Sequence, residues 1–235
     1  MKKFNMSLPQ KVSNMNVIAN SMFHEIKVLI ENYATDSDFE DLKYILKKIL
    51  NYILLDKELA RAITLKSYRH QLGFNKFTLH TFSDGSSLRL HFWDNKTITK
   101  EDIHSHCADF KSLIVHGSIV NNIYRLIEGA DNQIFNYSFD VDKSMIVAKR
   151  AGYSAYELIE SKFMNVTDYY IQSSQLLHNV NNVSLNTITI SVWKEREFPA
   201  LVLKEKCASA EDCNYTVCFS EKEMENKLNS ILEIF

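Results

Sequence analysis

Apolar residues recur every three or four positions from Val12 to Tyr33, through Met15, Ala19, Met22, Phe23, Ile26, Leu29 and Ile30. That period puts them on one face of a helix, so the spacing predicts an amphipathic helix here. A second helix is expected from Ser37, which with Glu40 has the spacing of a capping box and leads into Leu42, Ile45, Leu46, Ile49, Ile53 and Leu54. It is expected to break near Asp56 and run on toward Thr64. Past Gly73 the texture changes to short runs of Phe, Thr, Leu, Val, Ile and Tyr separated by polar turns, which predicts many short strands. They are expected at Lys76 to Ser83, Ser87 to Trp93, Ile103 to His106, Ser112 to His116, Ile119 to Ile127, Gln133 to Val141 and Ser144 to Lys149. Others are expected at Tyr156 to Phe163, Thr167 to Ser173, Thr187 to Trp193 and Tyr215 to Phe219. Asp84-Gly85 between the first two is a hairpin signal, since glycine accepts the positive φ of such turns, and it points to an antiparallel sheet. Ser220 and Glu223 form another capping-box pattern, opening a terminal helix with Met224, Leu228, Ile231, Leu232 and Phe235 on one face.

These elements describe a mainly β chain with helices at both ends. Residues 1–72 form an N-terminal helical layer, 73–219 the β region and 220–235 a C-terminal helix, all within one structural domain, since 235 residues are ordinary for an undivided β domain. Apolar residues make up 46% and charged residues 24%, which supports a real core rather than disorder. A net charge of −2 with scattered lysines and arginines excludes the basic field that nucleic acid requires. No stretch reaches the roughly 20 apolar residues of a membrane span, and Met1 to Lys11 has no apolar signal core, so a cytoplasmic protein is expected. Cys107, Cys207, Cys213 and Cys218 match no zinc-ribbon spacing and are expected to be reduced thiols, a bridge between Cys207 and Cys213 being the alternative. The apolar stripes of the terminal helices read as packing surface and are compatible with a homodimer.

The chemistry concentrates in His104 and His106. Two imidazoles two residues apart on a strand project to one face and can share a metal ion, and His178 from a later strand-rich region can complete a three-nitrogen site. Iron, manganese, nickel and zinc all accept such donors. Asp109, close behind the pair, is a second candidate for the site, as a carboxylate ligand or a base. Arg89 on the preceding strand can hold a substrate carboxylate in a bidentate grip. His80 and His91 lie on the two strands before the pair, where they line the cavity or sit as satisfied sheet histidines.

The run Ile103-His104-Ser105-His106, followed by Gly117 eleven residues after His106, resembles the first motif of the cupin superfamily, and Ser173 to Val180 around His178 resembles the second. The resemblance covers about Lys76 to Trp193 and implies an antiparallel jelly-roll β-barrel with a metal inside. Phe110 stands where the usual cupin has a glutamate ligand. A site of three histidines without a carboxylate is similar to that of the thiol dioxygenases, as is the run Leu88-Arg89-Leu90-His91-Phe92-Trp93 ahead of the pair. Trp193 takes the place of that family's catalytic tyrosine.

The resemblance therefore implies a non-haem Fe(II) oxygenase acting on a small thiol, amino acid or related anion together with dioxygen. In that reading His104, His106 and His178 hold the metal, and Arg89 holds the far end of the substrate. A metal-dependent isomerase, lyase or decarboxylase using Asp109 is the second expectation, and a non-catalytic small-molecule-binding cupin the third.

Overall fold

The computed structural model describes residues 8–70, 72–94, 101–140, 145–210 and 217–235. Helix α1 spans Leu8–Asn32, α2 spans Asp36–Leu55 and α3 spans Lys57–Thr64. The cap of α2 lies two residues ahead of the one expected from Ser37 and Glu40. Thr35 Oγ1 accepts from the Asp38 N–H at 3.2 Å, and the Asp38 carboxylate accepts from the N–H groups of Thr35 at 2.8 Å and Ala34 at 3.1 Å. Asp38 thus does the work foreseen for Glu40, and Ser37 falls inside the first turn. The break at Asp56 is as expected, because its carboxylate accepts from the N–H groups of Glu58 and Leu59 and starts α3. Helix α4, Glu221–Ile234, opens on the Ser220–Glu223 box that its spacing predicted.

The strands in chain order are β1 Tyr68–Arg69, β2 Asn75–Thr81, β3 Ser87–Trp93, β4 Phe110–His116, β5 Ser118–Asp140 and β6 Met145–Asn165. They continue with β7 Tyr169–Gln172, β8 Leu177–Asn181, β9 Thr187–Trp193, β10 Ala200–Glu205 and β11 Val217–Cys218. Among the described residues they form two antiparallel sheets. The larger has the order β11-β1-β2-β3-β9-β4-β7, and the smaller places β6 along one edge of β5 with β8 and β10 along the other.

The fold class is the expected one: mainly β and antiparallel, with helices from both ends of the chain. Several strand boundaries differ. The two strands expected at Ile119 to Ile127 and Gln133 to Val141 are one long β5, and Ser144 to Lys149 and Tyr156 to Phe163 both fall on β6. Glu128 to Asp131 lie between those two expected strands, yet the ladder passes them through a register irregularity between Ile127 and Asn132. Val141, Ser144 and Tyr215, at the ends of expected strands, lie outside the described residues, as does Cys213. Its expected alternative bridge to Cys207 is outside them too, and Cys107, Cys207 and Cys218 are free thiols.

Alternation along the central strands sets up two different faces. Leu88, Leu90 and Phe92 of β3 and Ile188, Ile190 and Val192 of β9 join Phe23, Ile26, Leu42, Leu46 and Met224 in one buried apolar core. The helices therefore cover the outer face of the larger sheet, each fully buried side chain there being worth about 1.5–3 kcal/mol. The inner face of the same strands carries Ser87, Arg89 and His91, and Thr189, Ser191 and Trp193. It meets the smaller sheet through Ile114, Ile119, Met164 and Val180. All seven residues of β9 are buried, so its polar residues belong to an interior lined by polar groups.

Candidate metal centre

The segment ahead of β4 was expected to form a strand over Ile103 to His106, and it does not. His104 makes single antiparallel bridges to His178 of β8 and Val202 of β10 and so fills the gap between those strands. Its N–H donates to the His178 carbonyl at 2.9 Å and its carbonyl accepts from the His178 N–H at 2.8 Å. On its other flank the N–H groups of Ser105 and Leu203 donate to the carbonyls of Leu201 and Ile103, both at 2.8 Å. This backbone clasp brings two residues 74 positions apart to the same place before any side chain is considered.

The side chains then converge. Ring centroids lie 4.7 Å apart for His104 and His106, 4.8 Å for His104 and His178, and 4.8 Å for His106 and His178. One ligand nitrogen from each falls within 4.8 Å of the others, so the group can hold a metal ion. Two rings are oriented by their far nitrogens. His104 Nδ1 contacts the Asp102 carbonyl at 2.8 Å, and His178 Nδ1 contacts Asn121 Oδ1 at 2.9 Å. Both partners are acceptors, so both Nδ1 atoms carry the proton and both Nε2 atoms present a lone pair inward. His106 Nε2 lies 2.7 Å from His178 Nε2. With a lone pair fixed on His178, that contact requires a proton or a cation between the rings.

Burial holds all three imidazoles below the ordinary histidine range, most strongly His106 and His178, where neighbouring histidines push the same way, while Asp102 partly opposes the shift at His104. Neutral imidazole is the form that ligates metal. The donor set, its tautomers and its charge state therefore fit a divalent transition ion.

Phe110 and Trp193 form the adjoining wall. Their rings stack at 4.0 Å with 16° between planes, and His106 meets them edge-on at 4.9 and 5.0 Å. The guanidinium carbon of Arg89 lies 4.0 Å from the centre of the Trp193 ring. Arg89 Nε donates to Ser87 Oγ at 3.1 Å, and the residue is only 8% exposed. Burial pushes its pKa down to about 10, which leaves it charged at neutral pH.

Asp109 is placed apart from the three histidines. One oxygen accepts from the Ser174 N–H at 2.8 Å and hydroxyl at 3.0 Å, and the other lies 3.3 Å from Lys194 Nζ. These donors hold its carboxyl below its usual range and tie it to the turn before β8. The histidines expected to line the cavity separate: His80 stacks on Phe23 at 4.7 Å under the helices, and His91 packs on Phe74 at 4.6 Å within the interior.

Sequence reasoning missed Asn121, Asp102 and Lys76. Asn121 and Asp102 act through a single hydrogen bond each, which leaves no spacing signature. Lys76 could have been found by alternation, since it neighbours the apolar Phe77 on β2 and must face the other way.

No protein-family model and no curated protein matches the chain. Solved structures that resemble it include an RmlC-like cupin from Shewanella frigidimarina, 13% identical over 55% of this chain and 84% of that one, with a TM-score of 0.33. KdgF from Halomonas sp. is 11% identical over 55% of this chain and 88% of that one, at a TM-score of 0.34. A variant oxalate decarboxylase from Bacillus subtilis is 12% identical over 56% of this chain, at 0.35. The chain spans 28% of that decarboxylase. Likenesses at these scores assign no activity to this chain. No helix among the described residues is long and apolar enough to cross a membrane.

Proposed function

We propose that the chain is a metal-dependent enzyme of the cupin kind, a non-haem Fe(II) oxygenase that acts on a small anionic molecule such as a thiol or amino acid. The observation that carries this reading is the convergence of His104, His106 and His178 with two Nε2 lone pairs fixed inward and no carboxylate in the group. Three neutral donors leave the charge of a divalent ion uncompensated, which favours an anionic partner beside it. Ferrous ion, when bound, supplies open coordination positions and electrons for dioxygen. The chain's own residues do the rest. Phe110 and Trp193 present a dry wall beside His106, and the Asp102 carbonyl and Asn121 keep the rings from turning. Arg89, braced by Ser87 and Trp193, holds the anionic end of the substrate. Asp109 steadies the approach to β8 through Ser174.

Metal analysis of the purified full chain tests this. Stoichiometric metal after exposure to Fe(II), lost in His106→Ala and His178→Ala, and oxygen uptake with a member of a panel of thiols, amino acids and small carboxylic acids are the expected results. A chain that takes up no Fe(II), Mn(II), Ni(II) or Zn(II), or whose His178→Ala form holds metal equally well, overturns the reading.

A further inference from the structure

The inner face of the larger sheet carries more positive charge than one carboxylate requires. Opposite one another across the strands lie Lys76, His91 and Thr189 in one row and Thr78, Arg89 and Ser191 in the next. Both rows share the face that bears Trp193, against which His106 rests. Lys76 Nζ donates to the Tyr68 hydroxyl at 3.0 Å, a neutral partner. Among the described residues no carboxylate lies within ion-pair distance of Lys76 or Arg89. Arg196, exposed at the edge of this region, adds a third positive charge that both of them feel.

Two enclosed cations without a counter-ion are costly, because each has lost water and each repels the other. Lys76 is half-buried, and so are Tyr68, His70 and His91 around it, as walls of a cleft are. His91 Nε2 and Thr189 Oγ1 on the same face are buried with no hydrogen-bond partner among the described residues. A wall with spare cations and spare polar atoms is built for a ligand that brings acceptors.

We propose that the substrate of this site is a dianion, a dicarboxylate or a phosphate monoester, whose two negative charges are held by Arg89 and Lys76 together. This rests on the metal-enzyme reading above and narrows its substrate class. A single carboxylate fills the guanidinium fork of Arg89 and leaves Lys76 uncompensated, whereas a dianion balances both. Burial, with Arg89 and Arg196 adding to it, holds the Lys76 ammonium well below the usual lysine range. Tyr68, His70, His91 and Cys107 are the other titratable groups around it; burial pushes the Tyr68 phenol up and both imidazoles down, so those three stay neutral at neutral pH. An arriving dianion therefore offsets that cost and favours the charged form of Lys76.

Calorimetry on the full chain, metal-loaded and metal-stripped, with malonate, inorganic phosphate and acetate as probes, tests the proposal. Expected are binding of malonate or phosphate about tenfold or more tighter than acetate, loss of that preference in Lys76→Met, and its retention in Lys76→Arg. Malonate alone or phosphate alone upholds the dianion and names its source. Equal affinity for acetate, no binding of any probe, or an unchanged preference in a Lys76→Met chain that melts cooperatively overturns it. A chain that takes up no metal yet prefers dianions fails the metal-enzyme reading and keeps this one.

Discussion

The indole of Trp193 lies flat on the ring of Phe110, 4.0 Å away and 16° from parallel. The cross-strand register makes this contact, since β4 and β9 pair Phe110 directly with Trp193. The sequence presents the two residues as separate departures from a family pattern, a missing carboxylate and a missing phenol. In the fold they are one unit, and each fills the space beside His106 that the other leaves. The same indole carries the Arg89 guanidinium, so the side chain at position 193 also places a cation.

Phe110→Leu is expected to lower unfolding stability by about 1–3 kcal/mol, from lost buried area and the lost aromatic stack. Metal stoichiometry is expected to stay as it is, because Phe110 offers no ligand atom. Urea unfolding followed by Trp fluorescence, with metal analysis alongside, checks both. Loss of metal at intact stability would contradict the packing role.

Asn121→Leu removes the acceptor that fixes His178 Nδ1. Loss of such a partner typically lowers metal affinity about 10–100-fold, and that is the fall expected here in a chelator competition assay. Asn121→Asp retains an acceptor and is expected to keep metal at least as tightly as the parent. Unaltered affinity in the leucine variant would mean that the ring is oriented by the backbone clasp alone.

Glu101 is buried beside β8, where one carboxylate oxygen accepts from the Val180 N–H at 2.9 Å, and desolvation pushes its pKa up to about 8. The folded chain therefore holds this proton more tightly than the unfolded chain. The associated stability is fully present below the unfolded glutamate value near 4.3 and is lost as pH rises through about 8. Glu101→Gln keeps an acceptor for Val180 without a titration. Relative to the parent, it is expected to gain stability between pH 5 and 8, by a few kcal/mol on the order of 4 at the upper end. Parallel pH-dependent unfolding curves for the two proteins would rule out the raised pKa.

Much of the fold was legible because its periods are strong. The helices, the Asp84-Gly85 hairpin and the central strands β3 and β9 appear where alternation and capping place them. The site was legible only as residue types. His104 and His106 were expected to meet by strand alternation, yet the segment is a single bridge held between β8 and β10, and long-range backbone pairing brings them together. Such pairing leaves no local pattern, and the polar β8 with its sequence Leu-His-Asn-Val-Asn has little strand character of its own. Alternation with Phe77 puts Lys76 on the face away from the helices, but what that face does depends on the other sheet. A lysine on a strand reads as a solvent-facing residue until the second sheet is known to cover that face.

Gly117 joins the two sheets, standing between the end of β4 and the start of β5 with φ at +80°. A left-handed backbone alone disfavours any other residue there, and the surroundings add to it. A methyl group at this position would overlap Thr187 Oγ1 and come within 2.7 Å of Ser184 Oγ and 2.9 Å of Thr187 Cα. Those hydroxyls cannot step aside freely, because Ser184 Oγ accepts from the Ser118 N–H at 2.9 Å and Thr187 Oγ1 donates to the Ser184 carbonyl at 2.7 Å. Gly117→Ala is therefore expected to cost about 2–4 kcal/mol, backbone strain and overpacking together. The loss should extend to the metal site, since Asn121 and the β5 edge that pairs with His178 start from this turn. Denaturant unfolding and metal content measured on the same preparation check the coupling. A Gly117→Ala chain with parental stability and full metal would show that the turn relaxes without moving the sheets.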